Sequence, residues 1–241
     1  VGQRALLPQK GYNPDVLIMT ATPIPRTLAI TIYGDLDISV IRQLPPGRQP
    51  IKTLLLREKE RPKAYEIAKK ELRQGRQVYI VYPVIEESYA LDIAGAKKMY
   101  LQLKSGEFKE FNLGLIHGRL KQAEQDKIML KFKNRELDIL VSTTVLEVGI
   151  DMPNATCMLV EHAQRFGLSQ LHQLRGRVGR GGQESICILL SEAETEQAKA
   201  RLQAMVMYGD GFRIAEEDLK IRGPGEFFGQ RQHGLSALRI A

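Results

Sequence analysis

The sequence predicts an α/β fold, a doubly wound parallel sheet followed by a carboxyl-terminal helical hairpin, and three observations carry the prediction. Short β-rich runs recur at residues 16–19, 51–56, 78–82, 113–117, 138–142, 157–161 and 185–190. Several are apolar from end to end, as befits strands covered on both faces of a parallel sheet. Helical patterns lie between them, and strand–helix alternation across residues 51–190 is what a doubly wound domain requires.

Taken in order, the run LPPGRQP at residues 44–50 reads as a linker, punctuated by prolines and a glycine and followed by a new strand. Pro62 suits the first turn of a helix, Ala64, Ala68 and Leu72 line one face of it, and Gly75 is placed to end it. Ile128, Met129 and Phe132 form the apolar stripe of a helical segment starting near Lys121. Beyond Ser191 the pattern changes to an amphipathic helix over residues 194–206, with Ala198, Leu202 and Met205 on its apolar face. A turn at 209–211, a second helix near 214–219 and the phrase RGPG at 222–225, which cannot remain helical, complete the chain. The predicted divisions are residues 1–50, 51–192 and 193–241. Ligands of such sheets sit beyond the carboxyl ends of the strands, which directs attention to the residues just after each strand.

The 241 residues carry a formal net charge of +7, with 43% hydrophobic and 26% charged side chains, an ordinary core-forming composition. The basic balance, with an isoelectric point near 9.4, favours an anionic partner, of which nucleic acid is the usual one. No apolar run approaches the roughly 20 residues of a membrane helix, so a soluble chain with no membrane partner is expected. Val1 opens a helical-looking segment with none of the features of a leader, which suggests a piece cut from a longer chain. Cys157 and Cys187 fall in apolar strand-like runs, outside any C-x-x-C pair or histidine cluster, and read as buried reduced thiols rather than zinc ligands.

The most informative segment is QLHQLRGRVGR at residues 170–180, which concentrates Arg175, Arg177 and Arg180 at the end of a short helix. Glycines between them let the backbone approach a neighbour closely. Arginine is permanently charged and forks onto phosphate oxygens, which suits it to charge developing on a transferred phosphoryl group. The segment DILVSTTVLEVGID at 138–151 is a strand running into a hydroxyl-rich turn, where Thr144 and Glu147 have capping-box spacing. A helix start of this kind presents free N–H groups that bind phosphate. TATPIPRT at 20–27 follows a strand directly and makes a rigid turn. LIHGR at 115–119 ends a strand: His117 suits a buried core histidine as well as a contact to a phosphate backbone, and Arg119 suits the latter.

Together these segments resemble motifs III to VI of the superfamily 2 helicases. The resemblance implies a RecA-like second helicase lobe of the P-loop NTPase kind. It implies that Arg177 and Arg180 reach across an interdomain cleft as arginine fingers, with Gly149, Asp151 and Gln173 on the nucleotide side. It further implies that Thr143, Arg119 and His117 meet the DNA backbone, and that Thr20 and Thr22 relay nucleotide state between lobes. The tail, residues 210–232, resembles the translocation motif of the double-stranded-DNA translocases that act on branched DNA and of the transcription-repair coupling translocases. The phrase RGPGEF at 222–227 with TPIPRT at 22–27 points to the branched-DNA group. In that group a hairpin and loop are clamped by residues that map onto Arg201, Arg222 and Gln232. His233 departs from the pattern, where a small hydroxyl residue is expected.

A phosphate-binding loop needs a Gly-Lys pair and the magnesium box needs an Asp-Glu pair; neither dipeptide occurs. By the resemblance both belong to a first RecA-like lobe ahead of Val1, of which residues 1–50 would be the last part plus linker, and a wedge domain lies further upstream. ATP and Mg2+ would be held mainly by that absent lobe, with no metal site in this chain. The expectation is the carboxyl-terminal part of a bacterial, cytoplasmic, ATP-dependent translocase of branched double-stranded DNA such as forks and Holliday junctions, inactive in hydrolysis by itself. A non-catalytic module that merely grips duplex DNA is the alternative, disfavoured because a grip has no need of fingers.

Overall fold

Six strands form one sheet in the order β1-β6-β5-β2-β4-β3, every neighbouring pair parallel. They are β1 (Ile51–Arg57), β2 (Gln77–Tyr82), β3 (Leu113–Ile116), β4 (Ile139–Thr143), β5 (Ala155–Val160) and β6 (Ser185–Ser191). Each strand expected within residues 51–190 is present, its ends shifted by one or two positions. The computed structural model describes residues 17, 39–41, 43, 47–83, 89–143 and 151–222, the side chains of 89–94 excepted. The expected strand at 16–19, the capping pair Thr144 and Glu147, and the site candidates Thr20, Thr22, Gly149 and Gln232 lie outside the described residues.

Helices cover both faces. On one, α1 (Arg61–Arg73) and α2 (Tyr89–Ser105) bury Ala64, Ala68, Leu72 and Leu103, joined by Phe108 just beyond α2. On the other, α3 (Gln122–Lys133), α4 (Leu168–Arg175), α5 (Glu196–Met207) and α6 (Gly211–Arg222) bury Met129, Phe132, Leu171, Leu202 and Ile214. The strands β2, β4 and β5 are buried at every position, as a sheet sandwiched between helix layers demands. Cys157 in β5 and Cys187 in β6 are both free and buried, with the Cys187 thiol pushed up to about 12 by desolvation.

Local chemistry accounts for the helix ends. Pro62 stands in the first turn of α1, and Gly75 takes φ 73° just past its end, where its N–H meets the Leu72 carbonyl at 2.9 Å. The helix expected over 194–206 starts at Glu196 because Thr195 caps it, its Oγ1 accepting from the Ala198 N–H at 3.2 Å. The last helix starts at Gly211, ahead of the expected 214, because Asp210 Oδ1 accepts from the Phe212 N–H at 3.0 Å. The periodicity does not announce α2: Ala96 and Leu103 are buried, yet Leu101 is 61% exposed, so its apolar residues mark no single face.

Strand connections leave in opposite directions from β2, towards β3, and from β5, towards β6, so the order reverses between these two neighbours. At that point Glu161, the residue after β5, is fully buried and accepts from Arg61 Nη1 at 2.7 Å and from the Tyr65 hydroxyl at 3.4 Å. Burial pushes the Glu161 carboxyl up and Arg61 pulls it back.

Candidate nucleotide and nucleic-acid site

The finger segment leaves the end of α4 and lies along the amino edge of the sheet. Gly179 takes φ 72°, and a Cβ there would stand 2.9 Å from Ile51 Cγ1, at the first residue of β1. A Cβ on Gly181 would stand 2.6 Å from the Pro153 carbonyl oxygen, just ahead of β5. Both glycines are therefore required by close backbone packing, and Gly179 also by its left-handed conformation. Here the structure departs from the expectation that ligand-facing residues follow the carboxyl ends of strands. Thr143 ends β4 at the carboxyl edge, and Asp151 stands shortly ahead of β5, towards the amino edge.

Asp151 and Arg180, far apart in sequence, meet on that edge. Arg180 Nη1 is 3.5 Å from Asp151 Oδ1, and its Nε donates to the Gly176 carbonyl at 3.3 Å. The two side chains are 32% and 60% exposed, so the pair is a loose surface contact worth little in stability. Arg177 is half-buried beside them. Burial pushes the Tyr79 phenol well up, Arg177 and Arg180 pull it down and Asp151 pushes it up, so all three charges act on the same point beneath the sheet edge. Gln173 is exposed on α4. A permanent cation held open to solvent fits one flank of a bound triphosphate; the chain has no glycine–lysine loop to cradle the rest.

The expected DNA-backbone residues gather at the opposite, carboxyl edge. Thr143 is the last residue of β4, 1% exposed, its Oγ1 without a hydrogen-bond partner among the described residues. His117 follows β3 and is 5% exposed, with Nδ1 unpartnered among the described residues; burial, Lys97 and Arg119 lower its pKa. Arg119, two residues on, is exposed. His117 is thus an interior side chain next to a surface arginine.

Arg201 and Arg222 are brought together. With Arg165, Gly167, Gln197 and Ile221 they line a cleft of about 250 Å³ between the hairpin and the turn ahead of α4. Arg201 Nη2 donates to the Gln164 carbonyl at 3.3 Å, and Arg222 Nη2 pairs with Asp218 Oδ2 at 3.0 Å. Among the described residues no group of three or more His, Cys, Asp or Glu side chains could hold a metal, and no helix is long and apolar enough to cross a membrane.

Sequence reasoning treated Arg175 as one of three like arginines. The structure separates it: Arg175 is 4% exposed and faces the interior, away from Arg177 and Arg180. A leucine-rich helix with one arginine among its inward positions gives a weak hint of this, and nothing in the sequence names its partners.

A parallel RecA-like sheet with an arginine segment on its amino edge and a helical hairpin packed beside it defines the second lobe of a helicase motor. Residues 63–182 match the helicase conserved C-terminal domain. The whole chain is 55% identical to the ATP-dependent DNA helicase RecG of Synechocystis and 53% identical to that of Thermotoga maritima, spanning 29% and 31% of those proteins. Among solved structures, a RecG bound to a three-way DNA junction matches 95% of the chain, and the chain 30% of it, at 50% identity with a TM-score of 0.76. The chain belongs to the RecG family of helicases, and it spans about a third of the length of these curated relatives.

Proposed function

We propose that this chain works as the second RecA-like lobe and translocation hairpin of an ATP-dependent double-stranded-DNA translocase that regresses stalled forks and migrates Holliday junctions. The observation that carries this is the placement of Arg180 on the amino edge, solvent-facing, on a backbone that Gly179 and Gly181 press against β1 and β5. In this reading residues 51–192 are the lobe, 193–241 the hairpin and its loop, and 1–50 the end of a preceding lobe with its linker. Arg177 and Arg180 stabilise charge on a phosphoryl group held by that other lobe, with Gly149, Asp151 and Gln173 beside the nucleotide. The nucleotide with Mg2+ supplies the hydrolysable bond, and the loose, solvent-facing contact with Asp151 leaves Arg180 able to turn towards it.

Arg119 and Thr143, with His117 supporting them, contact the DNA backbone on the opposite edge, so the two ligands approach the lobe from two sides. Thr20 and Thr22 relay lobe closure, while Arg201, Arg222 and Gln232 clamp the hairpin that pushes on the duplex. The remaining partners are the first lobe and a wedge domain, and the setting is the bacterial cytoplasm.

The test is made in the full-length protein. Arg177→Ala and Arg180→Ala should each lower junction-stimulated ATP hydrolysis by about 10³–10⁵ while changing ATP affinity little, since fingers act on the transition state. Parental rates in both variants would remove the finger assignment. The isolated chain should hydrolyse no ATP, and DNA-stimulated turnover by the purified chain would contradict the reading.

A further inference from the structure

A buried guanidinium ordinarily takes a carboxylate partner. Among the described residues Arg175 has none in ion-pair contact. Instead its Nη1 donates to the Met205 and Tyr208 carbonyls at 2.8 Å each, with Thr53 Oγ1 at 3.3 Å, and its Nη2 donates to the Gly209 carbonyl at 3.1 Å. His172 Nδ1 lies 3.1 Å from the same Nη2, and because arginine only donates, that nitrogen is the acceptor. Met205, Tyr208 and Gly209 surround the carboxyl end of α5, where helix carbonyls lack intrahelical partners and the helix dipole is negative. One side chain thus caps α5 from the last residue of α4.

The next residue, Gly176, opens the finger segment. Its carbonyl accepts from Arg48 Nη2 at 3.1 Å and from Arg180 Nε at 3.3 Å. The segment is therefore fixed at its base by the end of α5 and at its first carbonyl by the linker ahead of β1. We propose that Arg175 is a positioning residue for ATP hydrolysis, through which the carboxyl end of α5 sets where Arg177 and Arg180 stand. This rests on the finger reading. The hairpin is then part of the hydrolytic site's support. A lysine cannot replace the fork, because a point donor does not span three carbonyls lying in two directions.

The experiment compares parent, Arg180→Ala, Arg175→Lys, Arg175→Ala, His172→Leu and His172→Asn in the full-length protein. Steady-state hydrolysis is measured with saturating three-way junction DNA, together with thermal unfolding. Both Arg175 variants should lower kcat by roughly 10–100-fold with KM for ATP held within about twofold, the scale of a finger displaced by about 1 Å. A purely structural tie would lower Tm and leave kcat per folded molecule at the parental value, and that result overturns the proposal. Should neither Arg175 variant fold, the histidine pair decides. Asn keeps an acceptor near the Nδ1 position and should keep kcat, Leu removes it and should lower kcat at constant KM, and equal rates for the two overturn the proposal. Arg180→Ala is the separate control: parental hydrolysis there sinks the finger reading itself, whereas its loss alongside parental Arg175 variants sinks only this inference.

Discussion

Desolvation and the neighbouring Arg175 cation lower the His172 pKa to about 4; Arg48 acts in the same direction and Asp210 opposes it. An unfolded histidine titrates near 6.5, so the unfolded chain takes up a proton that the folded chain refuses. The stability associated with neutral His172 is therefore complete above about pH 6.5 and is lost as pH falls through about 4. His117 and His162 are lowered as well, chiefly by burial, and add to the slope over the acid side of that range. Denaturant unfolding of the chain at successive pH values should show this decline, and His172→Asn should make it shallower; an unchanged slope would remove His172 from the account. At this scale the sequence is legible where spacing is the signal. Arginines and glycines in the order of residues 175–180 single out this segment without a structure. The role of Arg175 is not legible, because its partners are main-chain carbonyls some thirty residues onward, and carbonyls are the same in every residue.

Between Arg177 and Arg180, Gly179 is the point at which the segment meets β1. An alanine there would enter the left-handed region and push against Ile51. Gly179→Ala should cost about 1–2 kcal/mol for the conformation alone and lower hydrolysis in the full-length protein by displacing Arg180. Gly182→Ala is the matched control: nothing lies within 4 Å of its Cβ position, and stability should stay within about 0.5 kcal/mol of the parent. Equal stability of the two variants would contradict the role given to Gly179. Strands and capped helices were legible because each has a local cause, such as Pro62 and Gly75 around α1. The helix α2 was not, because its burial depends on which strands it crosses. The edge on which Arg177 and Arg180 lie was not legible either, since it follows from the packing of Gly179 against Ile51 and of Gly181 against Pro153.

For the molecule as a whole, alternation of strand and helix fixed the class but not the order β1-β6-β5-β2-β4-β3, which only packing reveals. Arg180 and Asp151 stand at the edge of the sheet opposite Thr143 and Arg119, and in the proposed reading the latter edge is the one that meets DNA. Binding of the chain to duplex DNA should be weak, indifferent to sequence, and fall steeply with salt. Arg119→Ala should reduce the slope of log affinity against log salt by about 1. A slope unaltered by that substitution would move the DNA interface elsewhere. The same strand order has a consequence for biogenesis. Ile51 of the edge strand β1 has its sheet partner in Ser185 of β6, and among the described residues no other strand flanks it. A ribosome adding about 5–20 residues per second makes the first of these partners wait roughly 7 to 27 seconds for the other. During that interval β1 and the open side of β5 are bare backbone ladders, so chains released before β6 should aggregate rather than fold, and a chaperone is most useful between those two moments of synthesis.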